Sequence, residues 1–123
     1  MPQDVHISQN FPRLTVWDEE NFRGNRRVFT GNLGIRRIDN ILNGIESLRF
    51  FSTNPNATLV LFARPRFRGA FLVLRGNRRL RDLDNLIGGR DVESLISSNR
   101  RLTLEEIRRI RRTGTLPPGF RVI

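Results

Sequence analysis

The chain of 123 residues is the size of one domain with a small core, burying roughly two thirds of its unfolded surface. It has no cysteine, which excludes a disulfide framework and thiolate metal sites, and no apolar run long enough to span a bilayer. The net charge is +10, from 22 basic residues against 12 acids, and all 22 are arginine; the total absence of lysine points to coding bias or design rather than to a functional device.

Residues 1–13 read as a polar, flexible leader without the basic-then-apolar pattern of a secretory signal. A cytoplasmic location is therefore expected, with secretion still open. Leu14 to Trp17 alternates and is rich in strand formers, so it predicts a strand. A turn follows at Asp18–Asn21, then a short strand at Val28–Thr30 closed by Gly31-Asn32. Ile35 to Ile41 is mixed, and Ser47 to Phe51 predicts another strand. Ser52 to Asn56 is a loop. Further strands are expected at Thr58–Phe62, Phe71–Leu74 and Val92–Ser97. Short strands at regular spacing, punctuated by glycine, point to an antiparallel sandwich.

The last 26 residues, 98–123, form a basic extension with 7 arginines and 2 acids, against 14 arginines and 9 acids in residues 14–97. Thr103-Leu104-Glu105-Glu106 has the form of a capping box, so a helix is expected over about 104–112. Leu104, Ile107 and Ile110 share one face of it, and Gly114 follows as a stop signal. Arg108, Arg109, Arg111 and Arg112 would then lie on a solvated face or grip an anionic partner. Docking of the helix on the body is the preferred reading.

The chain also repeats itself. Trp17 to Gly24 and Phe62 to Gly69 share the pattern aromatic, four residues, Phe, one residue, Gly. At the same offset of 45, Val28, Gly31, Asn32, Arg36, Asp39 and Asn40 match Val73, Gly76, Asn77, Arg81, Asp84 and Asn85. At an offset of 47, Ile45-Glu46-Ser47-Leu48 matches Val92-Glu93-Ser94-Leu95. Two copies are too few for a solenoid and suit one domain of two intertwined units.

This doubled motif resembles the Greek-key motif of the βγ-crystallin superfamily, over about two thirds of the chain. The resemblance implies an all-β fold, a two-Greek-key sandwich with a short C-terminal helix. Greek key 1 would cover about 14–52 and Greek key 2 about 57–97. It gives Trp17, Phe22, Gly24 and Ser47, and Phe62, Phe67, Gly69 and Ser94, a structural role at a folded hairpin. Gly24 and Gly69 suit a backbone position that disfavours a Cβ. There is no tyrosine, so no tyrosine corner is expected.

Microbial members of the family bind calcium through a motif resembling Asn/Asp-Asn/Asp-x-x-Ser/Thr-Ser. The matching stretches are 42–47 and 89–94, and both are degenerate. Asn43 keeps the expected amide, Gly44 follows it, and Glu46 and Glu93 replace the liganding hydroxyl. Arg90 puts a positive charge beside Asp91 where an oxygen is wanted. Family geometry implies that Glu46 faces Arg64 and Arg66, and that Arg90 faces Asp18, Glu19 and Glu20. Arginines 64, 66 and 90 would then replace the metal at both sites. Weak calcium binding, through Asn43 and Glu46 or through Glu93 with the acidic hairpin of Asp18, Glu19 and Glu20, is the residual option; no other cofactor is expected, and calcium should add little stability.

Enzyme chemistry has little support. The single histidine, His6, lies in the leader, and Asp82 and Asp84 read as an exposed turn. Neither glycine-rich stretch, Gly31 to Gly34 or Gly88-Gly89, has phosphate-loop context. The expected function is a non-enzymatic structural or stress-related protein of the crystallin type, with no partner identified. Its alternatives are a calcium-binding module, a binder of nucleic acid or another anionic partner through the tail, and an inhibitor or toxin of the same fold.

Overall fold

The computed structural model describes residues 11–123, so His6 lies outside the described residues. The expected strands form: Ser47–Phe51 has the expected bounds, and the others are longer or shifted. They are β1 (Arg13–Glu19), β2 (Arg23–Thr30), β3 (Leu33–Ile35), β4 (Ser47–Phe51), β5 (Thr58–Arg64), β6 (Arg68–Arg75), β7 (Arg78–Leu80) and β8 (Ser94–Ser98). The helix α1 (Leu104–Thr113) and the strand β9 (Arg121–Val122) complete the chain. No described helix is long and apolar enough to cross a membrane.

Three strands have no sequence signature. β3 is three residues with a glycine at its centre, β7 begins with two arginines, and β9 is two residues after a Pro-Pro-Gly stretch. Each is ordered by its neighbours. β3 pairs with β8 on one side and, in parallel, with β9 on the other. β7 pairs with β4.

Two sheets result, in the orders β2-β1-β4-β7 and β6-β5-β8-β3-β9. Each sheet borrows one short strand from the other repeat: β3 of the first joins β8 of the second, and β7 of the second joins β4 of the first. The repeats therefore interlock. Alternating residues of the facing strands, such as Leu14, Val16, Leu48, Phe50, Leu59, Leu61 and Leu95, fill the space between the sheets.

A second apolar cluster lies on the outer face of the five-stranded sheet. Val60, Phe62, Phe67 and Ile96 are covered there by Leu102, Ile107 and Ile110, with Leu116 and Phe120 at the margin. The helix begins at the capping box, where the Thr103 hydroxyl accepts the Glu106 N–H at 3.1 Å and the Glu106 carboxylate accepts the Thr103 N–H at 3.0 Å. Gly114 ends it at φ 74. One assignment is corrected: Leu104 is 47% exposed, and fully buried Leu102, just ahead of the cap, takes its place in the contact. Leu104 is the first residue of the helix and is turned from the sheet. Each of the three buried side chains contributes about 1.5–3 kcal/mol. The chain end then lies along β3, with Ile123 donating to the Gly34 carbonyl at 2.8 Å, and closes an edge that would otherwise be open.

Candidate cation site

The folded hairpins set the site. Between β1 and β2 the backbone is left-handed at Asn21 (φ 60), Phe22 (φ 60) and Gly24 (φ 85). Between β5 and β6 it is left-handed at Arg66 (φ 61), Phe67 (φ 63) and Gly69 (φ 81). One buried serine holds each. Ser47 Oγ donates to the Glu19 carbonyl at 2.6 Å and accepts the Phe22 N–H at 3.0 Å. Ser94 Oγ donates to the Arg64 carbonyl at 2.7 Å and accepts the Phe67 N–H at 3.0 Å. Trp17 packs edge-on to Phe22 at 5.2 Å, and Phe62 to Phe67 at 5.9 Å.

Three backbone bonds then tie the first hairpin to its surroundings. Glu46 N–H donates to the Trp17 carbonyl (2.9 Å), Leu83 N–H to the Glu46 carbonyl (3.0 Å) and Asn21 N–H to the Arg81 carbonyl (2.9 Å). The hairpin tip, the residue before β4 and the loop after β7 are thus drawn together. Their side chains bring the carboxylates of Glu20, Glu46, Asp82 and Asp84 within 4.8 Å of one another. Glu46 titrates above its ordinary value, first because it is partly buried and then because Asp84, Glu20, Asp82 and Asp91 lie near. Asp84 is raised as well, by desolvation and then by Asp82 and Asp91.

No family model and no curated protein matches this sequence. Solved structures do match. Spherulin 3A from Physarum polycephalum is 22% identical with a TM-score of 0.53, over 74% of this chain and 86% of that one. A domain bearing on the evolution of the eye lens βγ-crystallin fold is 22% identical with a TM-score of 0.52, over 74% and 91%. The fifth crystallin domain of the non-lens protein Absent in melanoma 1 is 20% identical with a TM-score of 0.50, over 75% and 92%. The chain has the βγ-crystallin fold.

The two ends of this βγ-crystallin fold share one scaffold and differ in side chains. At the second end Glu93 N–H donates to the Phe62 carbonyl (2.8 Å), Ile38 N–H to the Glu93 carbonyl (3.1 Å) and Arg66 N–H to the Arg36 carbonyl (2.8 Å). These are the same three bonds, displaced by one repeat. In that frame Glu46 corresponds to Glu93 and Asp84 to Asp39, but Glu20 corresponds to Pro65 and Asp82 to Arg37. Glu93 is raised by burial and then by Asp39 and Asp91, while the Arg37 guanidinium lowers it.

The expected pairing of loops and arginines is therefore corrected. Each Glu meets the hairpin of its own repeat, because β1 lies beside β4, and β5 beside β8, in one sheet. Glu46 faces acids and not Arg64 or Arg66. Arg66 lies at the other end, lining a cavity of about 200 Å³ with Arg36, Arg37 and Ile123. Asp18 is bonded to Asn25, through the backbone N–H at 2.8 Å and the side-chain amide at 3.0 Å. Arg90 closes a tight turn with Ile87. Among the described residues, the ion pair is Arg100–Glu106 at 3.1 Å, and it includes none of Arg64, Arg66 or Arg90.

Asn43 (φ 61) and Gly44 (φ 121) form the turn that delivers Glu46. Asp91 Oδ1 accepts the Asn85 N–H at 3.0 Å and stands near both ends. On α1, Arg111 donates to the Gly69 carbonyl at 3.3 Å and lies 4.9 Å from the Phe71 ring centroid, while Arg108, Arg109 and Arg112 are exposed. Sequence reasoning missed Asp82 and Asp84 as ligands and set Glu20 of the acidic hairpin beside Glu93 rather than Glu46. The signal was present in the repeat offset, where Pro65 and Arg37 stand opposite Glu20 and Asp82.

Proposed function

We propose that this chain is a non-enzymatic structural domain of the βγ-crystallin fold whose stability rises when one calcium ion binds between Glu20, Glu46, Asp82 and Asp84. The observation that carries this reading is the gathering of four carboxylates within 4.8 Å, none of them in an ion pair among the described residues. Bringing like charges together costs folding energy, and a dication offsets that cost. Calcium suits the set because it accepts six to eight oxygen ligands in flexible geometry, whereas magnesium demands a near-ideal octahedron. The four carboxylates would be completed by carbonyl oxygens or water.

The second end does not bind. Arg37 supplies the positive charge where Asp82 stands at the first end, and Pro65 offers no side-chain oxygen where Glu20 stands. Isothermal calcium titration tests the reading. One site per chain is expected, and Glu46→Gln or Asp82→Asn should weaken it. Two equal sites, or none, would count against it.

A further inference from the structure

The two sheets differ in what covers them. The five-stranded sheet carries α1 on its outer face, while no described helix or strand covers the outer face of the four-stranded sheet, where Phe11 packs against Phe51 at its margin with ring centroids 6.0 Å apart. Strand alternation decides which side chains stand there. Leu14 and Val16 are fully buried, so Arg13, Thr15 and Trp17 point outward. Cross-strand partners share a face. Trp17 has Arg26 beside it, Thr15 has Val28 and Arg49, and Arg13 has Phe51. Arg79 of β7 pairs with Arg49. Four guanidinium groups thus surround the rings of Trp17 and Phe51, with no carboxylate among these outward residues. A shallow groove of about 410 Å³ runs across the face between them. The Arg79 guanidinium lies 5.2 Å from the Phe22 ring, which in turn packs against Trp17.

We propose that this face binds a short single-stranded nucleic acid, with phosphates on Arg13, Arg26, Arg49 and Arg79 and bases stacked on Trp17 and Phe51. Aromatic rings on an open sheet, framed by positive charge, are the physical requirement for holding unpaired bases. Guanidinium groups suit the role because they pair with phosphate oxygens through two parallel bonds and also stack on rings. Charge excludes a second copy of the same face, since four arginines would meet four. An anionic bilayer is disfavoured because Trp17 and Phe51 are half-buried in the sheet and have little to insert into hydrocarbon. A duplex keeps its bases stacked inside, out of reach of both rings. This inference does not depend on the cation site.

Trp17 is the single tryptophan of the chain, so its own emission reports stacking. The full chain, in chelator so that the cation site plays no part, is titrated with an oligothymidylate of about ten nucleotides, within the range one such face covers. A duplex of similar length and phosphatidylserine vesicles are titrated in parallel. Saturable quenching by the single strand is expected, with a log–log salt slope of about −3 for four phosphates at −0.7 each. Arg49→Gln should lower that slope by about 0.7. Phe51→Leu should weaken binding about tenfold and leave the slope unchanged. Both variants are checked by thermal melt, and the wild-type quenching result stands whether or not they fold. Absence of quenching, equal affinity for the duplex, or binding to vesicles in place of the strand would overturn the proposal. So would loss of binding in an Arg108→Gln, Arg109→Gln, Arg112→Gln variant with none in Arg49→Gln.

Discussion

Arg37 of the first repeat and Asp82 of the second occupy equivalent positions in two backbone scaffolds closed by the same three hydrogen bonds. One end of the molecule is therefore acidic and the other charge-compensated, with little difference in backbone bonding. Exchanging the two side chains should exchange the behaviour. Asp82→Arg should abolish calcium binding, and Arg37→Asp should raise the calorimetric stoichiometry above one. An unchanged stoichiometry in both variants would mean that these positions do not decide cation binding.

The raised carboxylates of the two ends also set a pH dependence. Glu46, Asp84 and Glu93 titrate above their ordinary values, each chiefly through desolvation. A carboxylate raised in the folded state stabilises the fold below its unfolded value, and that contribution is lost as pH rises through the folded one. Glu106 is lowered, first by the Thr103 backbone bond, so its contribution is present above its ordinary value and lost as pH falls. In chelator the melting temperature should therefore rise as pH is brought from neutral to about 5, before Glu106 protonates. Glu46→Gln should flatten this rise. A melt that falls steadily over the same interval would show that the cluster is not strained.

At the hairpins, Ser94→Ala leaves the Phe67 N–H and the Arg64 carbonyl without their partner. Each unsatisfied buried group costs about 1–3 kcal/mol, so a drop of several degrees in melting temperature is expected. Gly24→Val and Gly69→Val should be worse. Both glycines have positive φ, and a Cβ would collide with Asp18 Oδ1 at the first and lie 2.8 Å from Arg64 Cγ at the second. Wild-type melts for all three variants would contradict the folded-hairpin account.

The C-terminal extension belongs to the body of the fold. Removing residues 103–123 should lower stability, expose Phe62, Phe67 and Ile96, and leave β3 with an open edge. Ile107→Ala alone should cost about 2–5 kcal/mol. Dye binding to the truncated chain, together with its melt, checks both statements. A truncated chain with the full melting temperature would contradict docking.

Much of this fold was legible in the sequence because the strongest strands carry it. Alternation marked β1, the repeat carried that reading to β5, the doubled aromatic-to-glycine motif marked both hairpins, and the Thr103–Glu106 box marked α1. The borrowed strands β3 and β7 were not legible. They are short, and β7 begins with two arginines; pairing with β8 and β4 decides their structure. The contact face of α1 was half legible: helical spacing found Ile107 and Ile110, but Leu102 precedes the helix and lies outside any periodic pattern. At the site, Glu46 and Glu93 were found through the family motif. Asp82 and Asp84 were not, and Glu20 was set beside Glu93, since all three join Glu46 only through hydrogen bonds between distant loops. Arg64 and Arg66 were assigned to the wrong end because sheet pairing keeps each loop against its own hairpin.

The most direct measurement is a thermal melt of the full chain with about 1 mM calcium and with chelator, beside the same pair for Glu46→Gln. Saturation at 100 times the dissociation constant adds about 2.7 kcal/mol of stability. The account predicts an upward shift of several degrees in the wild type. In Glu46→Gln it predicts little or no shift, with a chelator melt at or above that of the wild type. Equal melts with and without calcium in the wild type, or an undiminished shift in Glu46→Gln, would contradict it.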